Sequence, residues 1–274
     1  MRFWHHVLSR RDQKKTVKIA ITGKGGVGKT TLAAVLAGLY AQEGKQVLAV
    51  DVDPDANLGL ALGFTEEEVS AITPVSKMGQ LINERTGSSS DSLGKFFKIN
   101  PRVDDIPDRF ALEKNGVKML VMGTVETGGG GCVCPEHVVL KRVISHLVLN
   151  QEELVIMDME AGLEHLGRGT ADMVDQFIVV VEPGARSIQT YHRIKQLAGD
   201  LGVRFVRVVG NKIRGSKDRD YLRERIFEKD ILGFVGFDNG VIDADKRNMA
   251  PLELSEMLRW EIGLIKNRID TYEG

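Results

Sequence analysis

Short, continuous runs of apolar residues recur along this chain and alternate with longer stretches of helical periodicity. The apolar runs predict buried strands at 17–22, 46–51, 117–123, 154–158, 177–182, 203–210 and 231–237. The periodic stretches predict helices at 30–43 and near 136–149, 186–200, 217–228 and 252–270. Continuous apolar strands joined by helices are typical of a parallel sheet covered on both faces. We therefore predict an α/β fold with one doubly wound, mostly parallel sheet and helices on both faces.

Two segments depart from this alternation. Residues 64–116 are rich in Ser, Gly, Asp and Pro, which predicts an irregular insertion. Residues 1–16 carry five basic residues against one acidic residue, which predicts a flexible N-terminal basic extension. An amphipathic helix is the alternative there, because apolar residues follow a helical spacing at Phe3, Trp4, Val7 and Leu8. We expect one domain over 17–274 beside this extension.

Composition is that of an ordinary globular protein. The 274 residues include 37 Lys+Arg and 38 Asp+Glu, giving a net charge of −1, and 42% are hydrophobic. This balance argues against nucleic acid as a partner and against stable membrane association. The terminal helix has mixed charges and is expected to dock on the domain through Leu254, Met257, Leu258, Glu261, Ile262, Ile265 and Ile269. With two Cys and no secretory signal, a cytoplasmic location is expected.

A glycine-rich loop follows the first predicted strand and opens the first predicted helix. Residues 23–30 read GKGGVGKT and match the pattern G-x-x-x-x-G-K-[ST], whose backbone N–H groups surround phosphate oxygens. Lys29 is expected to reach the β- and γ-phosphates, and the Thr30 hydroxyl to hold Mg²⁺. The predicted nucleotide-binding residues of this segment are Gly25, Gly26, Val27, Gly28, Lys29, Thr30 and Thr31.

Carboxylates follow two of the predicted strands, where the carboxyl edge of a parallel sheet would face the phosphates. Asp158 ends the apolar run LVIMD and is the predicted second ligand of Mg²⁺. Asp51 ends the second strand, and Mg²⁺ contact is one alternative for it. Asp53 is a candidate for activating water, although it could equally cap the next helix, with Asn57 as the N-cap.

Lys24 gives the phosphate loop a second lysine, five residues before Lys29. In this form the loop resembles the deviant Walker A ATPases, a family that includes nitrogenase iron protein, MinD and ParA proteins and metal-centre maturation ATPases. The resemblance implies ATP/ADP as the nucleotide and a homodimer in which Lys24 acts catalytically on the nucleotide of the other subunit. It also implies that Asp53 orients the attacking water and that Asn211 contacts adenine, with a second wall at Phe237 and Asp238.

Two cysteines stand behind four glycines in the stretch GGGGCVCPEH at 128–137. Pro135 is expected to begin a helix, whose dipole would favour thiolate at Cys132 and Cys134. Two sulfurs are too few for a closed tetrahedral site, but two copies of the chain would supply four across a two-fold axis. Such a set suits Ni²⁺, Zn²⁺ or an iron–sulfur cluster.

Together with the segment 155–175, this stretch resembles the CooC family of nickel-insertion ATPases. The resemblance implies an ATP-dependent homodimer that holds Ni²⁺, or Zn²⁺, between the Cys132 and Cys134 pairs. It implies delivery of Ni²⁺ to apo carbon monoxide dehydrogenase or acetyl-CoA synthase. The alternatives are an electron-transfer ATPase with an iron–sulfur cluster and a MinD/ParA-like positioning ATPase.

Overall fold

The computed structural model describes residues 17–53, 55–88, 97–123, 134–149, 153–160, 174–203 and 205–271. The described residues do not include the extension 1–16, the four glycines at 128–131, Cys132, or residues 161–173 of the segment 155–175.

Eight strands of the described residues form one sheet, in the order β3-β4-β2-β5-β1-β6-β7-β8. They are β1 (Lys18–Gly23), β2 (Val47–Asp51), β3 (Leu112–Lys114), β4 (Val117–Val121), β5 (Leu154–Asp158), β6 (Gln176–Val181), β7 (Val206–Ile213) and β8 (Ile231–Gly236). All neighbouring pairs are parallel except β3 with β4. The predicted fold class is confirmed.

Helices follow most strands and cover both faces of the sheet. They are α1 (Lys29–Gln42), α2 (Leu58–Ala61), α3 (Glu66–Ser70), α4 (Gly79–Thr86), α5 (Ile106–Phe110), α6 (Pro135–Leu149), α7 (Ala185–Asp200), α8 (Ser216–Arg223), α9 (Asn239–Lys246), α10 (Pro251–Leu254) and α11 (Glu256–Thr271). On one face α1 and α11 pack against the sheet, and on the other α4 and α6 do so. None of the described helices is long and apolar enough to cross a membrane.

The prediction of an irregular insertion at 64–116 is wrong, because α3, α4, α5 and β3 lie within it. α3 begins with a capping box, in which the Glu68 N–H donates to the Thr65 hydroxyl and the Thr65 N–H donates to the Glu68 carboxylate. β3 and β4 form a hairpin across Asn115 and Gly116, whose φ values are 52° and 77°. The dipeptide Asn-Gly is a strong sequence signal for such a tight turn, but the overall composition of residues 64–116 does not reveal this turn.

The predicted terminal helix is two helices, α10 and α11, separated at Ser255. The Ser255 hydroxyl accepts a hydrogen bond from the Leu258 N–H at 3.0 Å and so caps the start of α11. Met257 was expected on the docked face but is 45% exposed. The core side of α11 consists of Leu258, Ile262, Ile265 and Ile269.

β1 lies at the centre of the sheet, between β5 and β6. Every residue of β1, β2, β5 and β6 is buried, as expected for strands covered on both faces. Because these strands are parallel, their carboxyl ends lie at the same edge of the sheet. The chain places β2 to β5 on one side of β1 and β6 to β8 on the other, so the strand order changes direction at β1. The phosphate loop leaves β1 at this point.

Candidate functional site

The phosphate loop joins β1 to α1 through backbone conformations that require glycine. Gly28 stands at the N-terminus of α1 with φ of 98°, and a Cβ there would overlap the side-chain amide of Asn211. At Gly23 a Cβ would lie 2.5 Å from the Val180 carbonyl oxygen. The loop is therefore packed against β6 and β7 and leaves no room for side chains at these points.

Two side chains of β7 hold the loop from outside. The Asn211 side-chain amide donates to the Val27 carbonyl at 2.7 Å, and the Lys212 ammonium donates to the Gly26 carbonyl at 2.5 Å. Asn211 also accepts from the Lys212 N–H at 2.8 Å. Because a peptide group is planar, holding two successive carbonyls also orients the N–H groups bonded to them. The contact of Asn211 with adenine stays a prediction, and its observed partners are protein groups.

Lys29 and Asp53 meet above the sheet edge. The Lys29 side chain is 6% exposed, and its ammonium lies 3.8 Å from the Asp53 carboxylate. Both residues line a cleft of about 550 Å³ together with Thr30, Thr31 and residues of α9. This volume falls within the range of small-molecule pockets. The structure thus brings the loop lysine and the proposed water-orienting carboxylate to one cavity.

Asp51 organises the loop that carries Asp53. Its two carboxylate oxygens accept from the Asp53 N–H at 3.1 Å and from the Leu58 N–H at 3.0 Å. Burial raises the pKa of Asp51 to about 6, which these two hydrogen bonds partly oppose. Both oxygens are committed to backbone, so the geometry favours loop positioning over the alternative of Mg²⁺ contact. The Asn57 side chain makes no capping hydrogen bond.

Asp158 lies beside Asp51 in the parallel register of β5 and β2. Its carboxylate is fully buried, and within the described part of the chain neither oxygen has a hydrogen-bond partner. Burial raises the pKa of Asp158 to about 7, and the nearby Thr30 hydroxyl counteracts part of that rise. A buried carboxylate without a partner, next to a hydroxyl, fits a hard divalent cation such as Mg²⁺.

Lys24 lies on the other side of the loop and forms an ion pair within its own chain. Its ammonium is 3.7 Å from the Glu182 carboxylate, which lies at 3.6 Å from the Lys212 ammonium on its other side. Neither Glu182 nor Lys212 was singled out from the sequence. Glu182 directly follows β6, so the rule that polar residues at strand ends form sites could have found it.

Phe237 and Asp238 follow β8, but their surroundings differ. Asp238 caps α9 by accepting from the Gly240 N–H at 2.7 Å, and it also accepts from the Ser255 hydroxyl. Phe237 is 36% exposed, with the Arg214 guanidinium 4.6 Å from the centre of its ring. The carboxylate of Asp238 thus has a structural role, whereas the ring of Phe237 remains accessible. Their contact with a nucleotide stays a prediction.

Cys134 immediately precedes α6, as predicted from Pro135. Burial raises the pKa of the Cys134 thiol, and the neighbouring Glu136 side chain adds to the rise. The backbone N–H groups of His137 and Glu136 at the helix N-terminus lower this pKa, as expected, but by less. Within the described residues no three His, Cys, Asp or Glu side chains are grouped so as to hold a metal ion. Metal binding at Cys132 and Cys134 stays a prediction.

Comparison with known proteins supplies a family match and curated relatives. Residues 18–252 match the family described as "CobQ/CobB/MinD/ParA nucleotide binding domain". Carbon monoxide dehydrogenase accessory protein CooC of Rhodospirillum rubrum is 45% identical over 243 residues, 89% of this chain and 92% of that protein. An uncharacterized ATP-binding protein of Methanocaldococcus jannaschii is also 45% identical, over 92% of this chain and 97% of its own length.

Solved structures share the fold at lower identity. The MinC:MinD cell division protein complex of Aquifex aeolicus contains a chain with a TM-score of 0.66 and 18% identity, covering 94% of this chain and 97% of that one. Septum site-determining protein MinD of Pyrococcus horikoshii, complexed with Mg-ADP, has a TM-score of 0.63 and 18% identity, covering 94% of this chain and 96% of that one.

Proposed function

This chain belongs to the CobQ/CobB/MinD/ParA nucleotide-binding family, and on that basis we propose that it is an ATP-hydrolysing metallochaperone. Two copies bind one nickel ion through Cys132 and Cys134 and insert it into apo carbon monoxide dehydrogenase, or into acetyl-CoA synthase. The 45% identity to a carbon monoxide dehydrogenase accessory protein, over 92% of that protein's length, carries the proposal. The Cys-x-Cys motif supports it, because two copies bring four soft ligands to one ion.

In this proposal, the phosphate loop binds ATP. Backbone N–H groups held in place by Asn211 and Lys212 surround the phosphates, and Lys29 supplies positive charge. The Lys29 side chain is buried and its ammonium lies 3.8 Å from the Asp53 carboxylate. Binding a phosphate group therefore requires little rearrangement of this side chain. Thr30 and Asp158 would hold Mg²⁺, which supplies charge neutralisation to the phosphates when bound.

Hydrolysis needs a water placed in line with the terminal phosphate. Asp53 carries out this step by accepting a hydrogen bond from the water, and Asp51 keeps its loop in position through the Asp53 and Leu58 N–H groups. Lys24 of the second copy reaches the transferring phosphoryl group and stabilises its charge. Dimerisation and hydrolysis are therefore coupled, and nickel capture between the cysteine pairs follows the same cycle.

The test is a Cys132→Ser plus Cys134→Ser variant, loaded anaerobically with Ni²⁺ in the presence and absence of ATP. We expect one Ni²⁺ per two chains in the unsubstituted protein and none held tightly by the variant. ATP hydrolysis by the variant should stay within about twofold, because Cys134 is not among the residues that line the cleft at the phosphate loop. His137→Ala is the matched control, since it removes a neighbouring nitrogen donor and should retain the ion. A double variant that still binds Ni²⁺ tightly as a dimer refutes the proposal.

The two alternatives make different predictions. An electron-transfer ATPase would be brown when purified anaerobically, with visible thiolate-to-iron absorption. A positioning ATPase, supported by 26% identity to MinD of Bacillus subtilis, would sediment with liposomes or DNA when ATP is present. We expect neither result, and expect instead transfer of Ni²⁺ to the apo-enzyme that depends on hydrolysable ATP.

A further inference from the structure

Lys212 occupies a backbone conformation that is unfavourable for lysine. Its φ is 59°, in the left-handed region, and the pairing of β7 with β8 shifts register between Gly210 and Ile213. Such an irregularity in a strand redirects a side chain. Lysine lacks the local side-chain hydrogen bonds that help Asn or Asp tolerate this region, so the surroundings must hold the conformation.

The contacts of the Lys212 side chain supply that restraint. Its ammonium donates to the Gly26 carbonyl at 2.5 Å and lies 3.6 Å from one oxygen of Glu182. The backbone of Glu182 is held as well, because its N–H donates at 3.0 Å to the hydroxyl of Ser187, which is 2% exposed. The Glu182 backbone is therefore held by Ser187, and its carboxylate is held on one side by the Lys212 ammonium.

The second oxygen of Glu182 lies 3.7 Å from the Lys24 ammonium. The three side chains form a line of alternating charge in the order Lys212, Glu182, Lys24. The line starts at the Gly26 carbonyl and ends at the Lys24 ammonium. Lys24 has four rotatable side-chain bonds and, as an isolated residue, would sample many directions. Glu182 restricts it to the surface of its own subunit.

We propose that Glu182 is a positioning residue for Lys24. It holds the ammonium on its own subunit until the phosphates of a second copy's nucleotide take the place of the carboxylate. The inference rests on the proposed function, in which Lys24 acts across the dimer. The exchange is favourable because a nucleotide bears several negative charges where Glu182 bears one.

The pair is weak enough for this exchange. The side chains of Lys24 and Glu182 are 38% and 30% exposed, so water and salt screen their attraction. Exposed pairs of this kind change an equilibrium by about two- to fivefold. A two-fold symmetric dimer breaks two such pairs, and the factors multiply to about four- to twenty-five-fold.

The first experiment uses the single, nucleotide-free chain and requires no dimer. Lysine amines are labelled with limiting acetic anhydride and read by peptide mass spectrometry, with exposed Lys45 as the internal reference. In Glu182→Gln we expect Lys24 to label about two to five times faster. Lys212 should change less, because it keeps the Gly26 carbonyl. Glu224→Gln, which changes an exposed carboxylate that directly follows α8 and pairs with Arg225, is the matched control and should change neither rate.

The second experiment measures the dimer dissociation constant by sedimentation with a non-hydrolysable ATP analogue. Glu182→Gln should lower this constant about four- to twenty-five-fold, and raised salt should shrink the difference. In a Lys24→Ala background the same substitution should have no effect, because Glu182 acts through Lys24.

An unchanged Lys24 labelling rate in Glu182→Gln overturns the inference, as does an effect on dimerisation that persists in Lys24→Ala. Absence of any nucleotide-dependent dimer contradicts the proposed function instead, and leaves the labelling result to decide whether Glu182 restrains Lys24.

Discussion

The two sides of the phosphate loop satisfy their charges in opposite ways. On the side of β2 and β5, Asp51 and Asp158 are fully buried, and Asp158 has no hydrogen-bond partner in the described residues. On the side of β6 and β7, Glu182 and Lys212 are 30% and 41% exposed and are paired. On the first side, a bound cation would stabilise the buried Asp158 carboxylate. The second presents charges that can exchange partners in water.

This difference assigns separate tasks to the two sides. Buried groups interact strongly and reorganise little, which suits chemistry on a bound nucleotide. Exposed pairs contribute little to stability and are readily replaced, which suits an encounter with another copy of the chain. Substitutions on the buried side should therefore produce the larger effects.

Asp53→Asn should have the largest effect of the substitutions considered for the two sides. The amide keeps the shape of the side chain but is a poor acceptor for a proton or a water hydrogen bond, so kcat for ATP should fall by about 10²–10⁴. Nucleotide affinity should change little, because Lys29 and the loop N–H groups remain. Steady-state phosphate release and equilibrium ADP binding measure the two quantities.

Asp55→Asn is the matched control for that prediction, since Asp55 is exposed in the same loop and its N–H donates to Asp53. It should leave kcat within about threefold. A similar loss of kcat in both variants would mean that the loop's conformation, and not the Asp53 carboxylate, is responsible.

Stability of the metal-free protein should fall as pH rises from about 4 to 7. The pKa of Asp158 is about 7 in the folded chain against an ordinary value of 3.8, so between these values the folded state holds the proton more tightly. Below pH 4 both states are protonated, and above pH 7 both are charged, with a penalty of up to about 4 kcal/mol in the folded state. Asp51 contributes in the same direction. Urea unfolding across this pH range measures the slope.

Asp158→Asn should remove the larger part of that slope and raise the free energy of unfolding at pH 7. Asp243→Asn, an exposed carboxylate of α9, should leave the slope intact. If both variants unfold with the original pH dependence, the burial of Asp158 is not its cause.

Lys212→Asn should have the smallest effect of the three substitutions. Asparagine tolerates a positive φ but cannot reach the Gly26 carbonyl, so one side of the phosphate loop loses its support. Loss of one hydrogen bond of this kind, about 1 kcal/mol, corresponds to roughly fivefold weaker ATP binding. Calorimetric titration with an ATP analogue measures it, with exposed Lys217→Asn as the matched control. Equal affinities for both variants would deny Lys212 any part in holding the loop.

Much of the buried side could be predicted because its signals are local. The loop pattern, the apolar run before Asp158 and the acidic segment after β2 each occupy a few consecutive residues, and the alternation of strands and helices brings them to one edge. The prediction of the fold succeeded for the same reason. Burial and partners of each carboxylate still required the structure, because they depend on side chains that approach from neighbouring strands.

The exposed side could not be predicted in the same way. Lys24 and Glu182 are far apart in the sequence and meet only because β6 lies next to β1. β7 was expected to end at 210, where the apolar run stops, but it continues through polar residues to Ile213. Hydrophobic pattern does not detect a strand extension made of Asn211 and Lys212, nor the change of register that directs Lys212 to the loop.

The two outer strands of the sheet have a consequence for self-association. β3 is only three residues long, and its Lys114 is tied to Glu68 of α3 by a 2.5 Å ion pair. At the opposite border, α11 supplies side chains to the backbone of β8: Arg268 donates to the Leu232 carbonyl at 2.6 Å, and Glu261 accepts from the Gly236 N–H at 2.7 Å. Short, charged or covered borders resist the addition of another strand. These two borders therefore oppose the association of copies of this chain into continuous sheets and fibres.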